Sequence, residues 1–218
     1  RLAQASPNFA TPDPAQLQTR HDLARAKIAA YTIGGNVIPR LFRNNPKGIG
    51  AQYGLALSQF LAGSQKPALA KTDALIKAQP NNPYFYELRG DILVKLNKPT
   101  EAAKAYQRAM KLDPERSSLI QVGYGQSLLL SGDAEGAKTA LKTALSRDKD
   151  NFLGYQFLAQ AYGKLGDIAN AELSSAEMHF YGGNLQEAKI FAARAQKKFK
   201  TGEPGWLRAE DIMTQKKP

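Results

Sequence analysis

The chain has 218 residues, no cysteine and a formal net charge of +11 at pH 7. The absence of cysteine excludes disulfides, zinc-thiolate sites and thiol catalysis together. No apolar run approaches the roughly 18 residues that a membrane span requires, so we expect no transmembrane segment. Helix-forming residues dominate and regular β-branched alternation is absent, which favours an all-α chain without a sheet.

Residues 1–48 are predicted to form an N-terminal arm, a first helix and a break. Residues 1–15 are rich in Pro, Ala, Ser and Asn, as in a linker, and lack the basic-then-apolar order of a secretion signal. Apolar residues at helical spacing predict the helix from residue 16 to about residue 31. Glycines and prolines in residues 34–50 indicate the break, with a short helical turn near Leu41.

The segment 83–114 has small residues at fixed places. Gly90 and Ala102 lie where two antiparallel helices would cross too closely for a larger side chain, and Tyr106 fills space beside that crossing. Pro114 ends the second helix, because proline cannot donate the helical hydrogen bond and clashes with the preceding turn. This pattern resembles a tetratricopeptide repeat, a helical hairpin that buries its apolar face only by stacking on neighbours.

Aligning the chain on this segment predicts repeats over residues 49–202. The predicted hairpins are 49–82, 83–117, 118–151 and 152–202. The small residues predicted to lie at helix crossings are Ala56, Gly90, Ala102, Gly125, Ala137, Ala159, Ala171, Ala176 and Ala188.

The last hairpin departs from the pattern. Its second helix is followed by a further turn, Gly182-Gly183-Asn184, and by another helix with alanines at second-helix spacing, so that one helix serves two hairpins. We therefore predict an all-α, tetratricopeptide-like right-handed superhelix of about four antiparallel hairpins that ends in a shared-helix cap. Residues 203–218 are predicted to form a short C-terminal helix and tail.

In such repeats the first helix of each hairpin lines a concave groove, and the crossing positions fix which residues face it. The candidates for partner binding are Tyr53, Leu57, Phe60, Glu87, Asp91, Lys95, Val122, Gln126, Leu129, Gln156 and Gln160. Packing between helices is an equal alternative for Tyr53 and Phe60. We expect Glu87→Ala or Asp91→Ala to leave folding nearly intact, and Gly90→Leu to destabilise the protein.

The same positions bear on the kind of partner. Repeats that bind acidic chaperone tails hold the terminal carboxylate with a clamp of Lys, Asn and Arg. Here the equivalent positions include Glu87 and Asp91, so we expect a protein or peptide partner other than such a tail.

No catalytic motif is present. His21 and His179 do not have the HExxH spacing that places two zinc ligands and a base on one helix, so we expect no metal site in this chain. Nucleophile-elbow, P-loop and dinucleotide motifs are also missing. We therefore expect a chain that is not an enzyme.

The basic charge raises the alternative of nucleic-acid binding. A cluster lies near the C-terminus, at Lys189, Arg194, Lys197, Lys198 and Lys200. These cations fall on the outer face and last turn of a helix, where they favour the helix dipole, and no aromatic platform for bases is interleaved with them. We expect a solvated basic face, or attraction to acidic protein or membrane surfaces, rather than nucleic-acid binding.

Three segments carry a more specific resemblance: SPNFATPDPAQLQTRHDLARAKI, AELSSAEMHFYGGNLQEAKIFAARAQ and GEPGWLRAEDI. Together they resemble the C-terminal region of BepA-like periplasmic zinc metalloproteases, in which an HExxH peptidase domain precedes a tetratricopeptide domain. The resemblance covers nearly the whole chain. It implies that zinc and its ligands belong to a domain upstream of Arg1 and that none lies in this chain.

The resemblance also implies a periplasmic location and a scaffold that positions clients or outer-membrane assembly partners for the peptidase domain. The peptidase domain itself is then among the expected partners. The alternative that the residues leave open is an independent adaptor whose groove binds an unrelated peptide or protein.

Overall fold

The computed structural model describes residues 15–215, which form twelve α-helices and one 3₁₀ turn and contain no strand. The helices are α1 Ala15–Thr32, α2 Ile38–Leu41, α3 Ile49–Leu61, α4 Gln65–Ala78, α5 Pro83–Lys95, α6 Pro99–Leu112, α7 Ser118–Leu130, α8 Ala134–Arg147, α9 Phe152–Lys164, α10 Ile168–Tyr181, α11 Leu185–Gln196 and α12 Pro204–Thr214. The predicted all-α fold is confirmed. Nearly all of the predicted N-terminal arm, and the last three residues of the predicted tail, lie outside the described residues.

The described chain divides into two compact units, residues 15–80 with α1 to α4 and residues 81–215 with α5 to α12. In the first unit α3 packs on both α1 and α4. The hairpin of α3 and α4, which the repeat spacing groups with the later hairpins, therefore belongs to the same unit as the first helix.

The predicted break lies inside the first unit, between α1 and α3. It contains the 3₁₀ turn Gly35–Val37 and the short helix α2, which contacts α1 and α3. A Cβ atom on Gly54 of α3 would lie 2.8 Å from Cγ2 of Ile38, and Ile38 is fully buried. The small residue at Gly54 thus allows α2 to lie directly against α3.

In the second unit each helix from α5 to α12 packs on the next one. The first helices of three successive hairpins are also neighbours, because α7 contacts α5 and α9 contacts α7. Two of the hairpin turns share a glycine followed by aspartate. Gly132 and Gly166 have φ of 93° and 77°, and the carboxylates of Asp133 and Asp167 each accept the N–H three residues later, which caps α8 and α10.

The helix α10 belongs to two hairpins. The last helix α12 contacts α10 as well as α11, just as α9 contacts α7 as well as α8. Two buried carboxylates of α10 bind arginines of α11 and α12. Glu172 accepts hydrogen bonds from Arg194 of α11 at 2.7 and 3.1 Å, and Glu177 accepts two from Arg208 of α12 at 2.7 and 2.8 Å. The predicted shared helix is confirmed.

Tyr106 of α6 lies between two glycines. A Cβ atom on Gly90 of α5 would lie 2.7 Å from its ring, and a Cβ atom on Gly123 of α7 would lie 2.6 Å from it. The tyrosine is 2% exposed. The helices α5, α6 and α7 therefore meet around one aromatic ring and leave no room for a side chain at either glycine.

Most of the residues predicted to lie at helix crossings are buried, namely Ala56, Gly90, Ala102, Gly125, Ala137, Ala176 and Ala188. The other two, Ala159 of α9 and Ala171 of α10, are partly exposed, and their place at the crossing of these two helices stays a prediction. Among the described helices, α12 packs on α10 and α11 rather than on α9. Within α9 the fully buried alanine is Ala161.

Candidate functional site

Several of the predicted groove residues lie in the hydrophobic core instead. The residues concerned are Tyr53, Leu57, Val122 and Leu129, and none is more than 5% exposed. A groove role is wrong for these four, because a buried side chain offers no surface to a partner. Val122 and Leu129 pack with Leu141 of α8 and Leu158 of α9 in one core cluster.

The remaining candidates of the second unit reach solvent and follow the first helices of three hairpins. They are Glu87, Asp91 and Lys95 on α5, Gln126 on α7, and Gln156 and Gln160 on α9. Residues three, four or seven positions apart share one face of a helix, so each set forms a strip along its helix. We call these strips together the first-helix stripe. Phe60 is partly exposed on α3 in the other unit.

The stripe includes exposed leucines that the sequence reasoning missed. Leu119 and Leu130 of α7 are 57% and 54% exposed and lie seven residues before and four residues after Gln126. Leu153 of α9 is 42% exposed and lies three residues before Gln156. Their spacing of three, four or seven residues from Gln126 or Gln156 already predicts from the sequence that they share the same helix face. The stripe therefore carries two carboxylates and Lys95 along α5, and it mixes leucine with amide side chains along α7 and α9.

Asp91 has a structural role as well as a place on the stripe. Its Oδ1 atom accepts a hydrogen bond from the hydroxyl group of Tyr106 at 2.5 Å. Since Tyr106 is buried between Gly90 and Gly123, this hydrogen bond holds the ring at the centre of the contact among α5, α6 and α7. The expectation that Asp91→Ala leaves folding nearly intact is therefore corrected.

We expect Asp91→Ala to lower the free energy of unfolding by about 1 kcal/mol, because a buried hydroxyl loses a charged acceptor. The matched control is Gln126→Ala, since Gln126 follows Gly125 as Asp91 follows Gly90 and is also half-buried. That control should change the free energy by less than about 0.5 kcal/mol. Urea denaturation followed by far-UV circular dichroism measures both values. Equal losses in the two variants would contradict the role given to Asp91.

A second surface of the second unit is concave. It is an open groove of about 460 Å³ between α8, α9, α10 and α12, which we call the α8–α12 groove. Its lining residues are Lys142, Leu145, Ser146, Lys149, Tyr155, Leu158, Glu177, Tyr181 and Arg208. The groove exists because α12 returns to α10, so it is a product of the shared helix.

The aromatic part of the α8–α12 groove is a pair of tyrosines. The rings of Tyr155 of α9 and Tyr181 of α10 stack with centroids 5.4 Å apart and an angle of 9° between their planes. Burial, followed by the nearby carboxylate of Glu177, raises the pKa of Tyr155 well above its usual range. The phenol therefore stays neutral at physiological pH. Leu145 and Leu158, 7% and 6% exposed, add an apolar floor.

The charged part of the groove combines a fixed pair with exposed lysines. The guanidinium group of Arg208 forms a two-bond contact with the Glu177 carboxylate, and these hydrogen bonds raise the pKa of Arg208 above its usual range. The guanidinium also lies 5.5 Å from the ring centre of Phe180. Lys142 and Lys149, in contrast, are exposed at the rim.

The C-terminal basic cluster is partly engaged within the fold. Arg194 binds Glu172, and the Nζ atom of Lys198 lies 3.4 Å from the same carboxylate. Both cations hold α11 and the residues after it against α10. This internal pairing reduces the charge that the cluster offers to a phosphate backbone.

Within residues 15–215 no three acidic or histidine side chains come together as a group that could bind a metal. His21 is exposed on α1, and His179 of α10 stacks on Phe191 of α11 with ring centroids 5.3 Å apart. No helix of the described part is both long enough and apolar enough to cross a membrane.

Residues 73–179 match the family model of the tetratricopeptide domain of cytochrome c-type biogenesis protein H. This stretch begins within α4 and ends within α10. The chain is also 28% identical, over 211 residues, to the beta-barrel assembly-enhancing proteases of Escherichia coli K12 and Shigella flexneri. That similarity covers 93% of this chain and 43% of each relative, so the chain spans less than half of their length.

Solved structures with a similar fold include several tetratricopeptide-type proteins. MamA has a TM-score of 0.57 at 18% identity, over 73% of this chain and 90% of its own. PilW, a type IV pilus biogenesis factor, has a TM-score of 0.57 at 18% identity, over 94% and 100%. YrrB, described as a TPR protein with an unusual peptide-binding site, has a TM-score of 0.52 at 14% identity, over 80% and 97%.

Proposed function

We propose that this chain, a protein-interaction scaffold with the tetratricopeptide-repeat fold, is the non-catalytic half of a periplasmic zinc-dependent protease. In this function the repeats hold client proteins or outer-membrane assembly partners for a peptidase domain encoded upstream of Arg1. The observation that carries the proposal is the extent of the similarity to beta-barrel assembly-enhancing proteases. It covers 93% of the chain and so reaches well beyond residues 73–179, the part that matches the repeat family model.

The geometry supports a binding role for the second unit. The first-helix stripe and every lining residue of the α8–α12 groove except Lys149 lie on helices, and helices hold recognition side chains in fixed positions. The stripe offers exposed leucines beside amide and carboxylate groups. Such a mixed surface suits a protein segment, whose side chains alternate in polarity and whose backbone supplies hydrogen-bonding groups.

The proposal assigns zinc and proteolysis to the upstream domain, and within residues 15–215 no group of three acidic or histidine side chains offers ligands for zinc. The part of that reaction which falls to this chain is holding and orienting a protein substrate.

The first experiment reads the encoded sequence upstream of Arg1. An HExxH motif there, preceded by a secretion signal, is the expected finding. If neither is encoded, the chain is the independent adaptor of the alternative hypothesis, and the protease assignment fails.

The second experiment uses photo-crosslinking in the full-length protein. A photoreactive residue at Gln126 or Gln160, on the first-helix stripe, should crosslink to an unassembled β-barrel protein or to a component of its assembly machinery. The control position is Gln107, which is exposed on α6 away from the stripe. Crosslinks to these partners that are equally strong from Gln107, or absent from both stripe positions, would contradict the proposed binding surface.

A further inference from the structure

We propose that the α8–α12 groove binds an acidic peptide segment that carries one aromatic side chain between carboxylates. This inference rests on the proposed function in that the chain binds protein segments, and it adds the chemistry of one ligand and the place where that ligand lies. The first-helix stripe does not supply this chemistry, because its α5 portion presents the carboxylates of Glu87 and Asp91.

The charge of the groove favours carboxylates. Among its lining residues Lys142, Lys149 and Arg208 are cationic and only Glu177 is anionic, so the lining carries a net positive charge. Arg208 is occupied by Glu177, so the two lysines carry the charge that a ligand would meet. Both lysines are exposed. Lys142 lies on α8 and Lys149 in the turn that follows α8, and both line the groove, so they can contact carboxylates on either side of a central residue.

The floor of the groove favours an aromatic side chain between those carboxylates. Leu145 and Leu158 are apolar, and the stacked pair of Tyr155 and Tyr181 presents further ring surface beside them. Aromatic rings bind such surfaces through offset stacking or edge-to-face contact. A volume of about 460 Å³ accommodates one large side chain with the adjoining backbone.

The same residues argue against a nucleic acid as the ligand. Single strands bind where successive bases stack on aromatic side chains along a continuous basic track. Here the two tyrosine rings stack on each other, so their facing surfaces are already covered. A peptide with a single aromatic side chain needs no such continuous track of ring surfaces, and it fits the rings and lysines of this groove.

The test measures fluorescence anisotropy of a fluorescein-labelled peptide, Gly-Asp-Glu-Phe-Asp-Glu-Gly, on addition of the protein. We expect saturable binding that weakens as salt is raised, because the lysines are exposed and screened. A peptide with Ser in place of Phe should bind at least about tenfold more weakly, since the ring contact is lost.

Two variants test whether the peptide binds in the groove. The double variant K142E/K149E reverses both free charges and should weaken binding by at least about tenfold. Its matched control is K104E/K111E on α6, which changes the same total charge at two exposed lysines with the same spacing. The control should keep affinity within about twofold at moderate salt, since those lysines lie outside the groove. The variant S146W fills the groove from an exposed position while both lysines remain, and it should also abolish binding.

Three results would overturn the inference. One is unchanged affinity in K142E/K149E or S146W while far-UV circular dichroism shows a normal fold. Another is an equal loss in K104E/K111E, which would show general charge attraction. The third is tighter binding of an eight-residue oligothymidylate that is lost in the same groove variants. If one of these three results is obtained while Gln126 still crosslinks to β-barrel proteins, the proposed function stands and only the groove assignment fails.

Discussion

Gly90→Leu is expected to destabilise the second unit by about 1 to 3 kcal/mol or more. The new side chain would enter the space of the Tyr106 ring, which a Cβ atom at Gly90 already approaches to 2.7 Å. The ring cannot move away, because Gly123 lies against its other side and a Cβ there would be at 2.6 Å. A shift of the ring would also strain its hydrogen bond to Asp91.

The control for this prediction is Gly163→Ala on α9. A Cβ atom at Gly163 would meet nothing within 4 Å, and the residue is helical and exposed. Alanine should therefore stabilise the helix by about 0.5 to 1 kcal/mol. Urea denaturation followed by far-UV circular dichroism compares the two variants with the parent. A stability ranking in which Gly90→Leu equals or exceeds the parent would show that the packing around Tyr106 is wrong.

Arg208→Ala is expected to destabilise the protein by about 3 kcal/mol. The substitution leaves the carboxylate of Glu177, which is 7% exposed, without the two hydrogen bonds that compensate its burial. It also removes the cation above the ring of Phe180 and the only described salt bridge that joins α12 to α10 among residues 15–215. We place the effect at the low end of the range for buried pairs, because Arg208 is about one-third exposed.

Arg194→Ala is the matched control, because Arg194 also pairs with a buried carboxylate of α10. Its partner Glu172 keeps a second cation, Lys198, at 3.4 Å, and Arg194 itself is 55% exposed. The loss should therefore be at most about 1 kcal/mol. Thermal and urea unfolding of both variants test the ranking. A larger loss in Arg194→Ala than in Arg208→Ala would show that the α10–α12 pair does not hold the C-terminal helix.

The repeat architecture could be read from the sequence because it depends on local spacing. Gly90 and Ala102 differ from their neighbours in size, and glycine followed by Asp133 or Asp167 marks the turns. The shared helix followed from the same kind of signal, the extra turn Gly182-Gly183-Asn184. In the structure α10 lies between two such turns and contacts α9 before it and both α11 and α12 after it.

The candidate site was read less well, because it depends on contacts between residues far apart in the chain. Position within a repeat assigned Val122 and Leu129 to a groove, whereas their apolar character decides their place in the core. The hydrogen bond from Tyr106 to Asp91 joins two different helices and has no sequence signature. Glu177 and Arg208 are 31 residues apart, so the sequence alone does not predict that α12 packs on α10. The α8–α12 groove depends on that contact.

The double role of α10 limits how the array can change in length. A whole hairpin gained or lost among α5 to α9 would leave every later helix with the same neighbours, so that region can vary in steps of two helices. A similar duplication or deletion within α10 to α12 would separate Glu172 from Arg194 or Glu177 from Arg208 and would remove the groove between them. The last three helices therefore form one block that a related array must keep or lose as a whole.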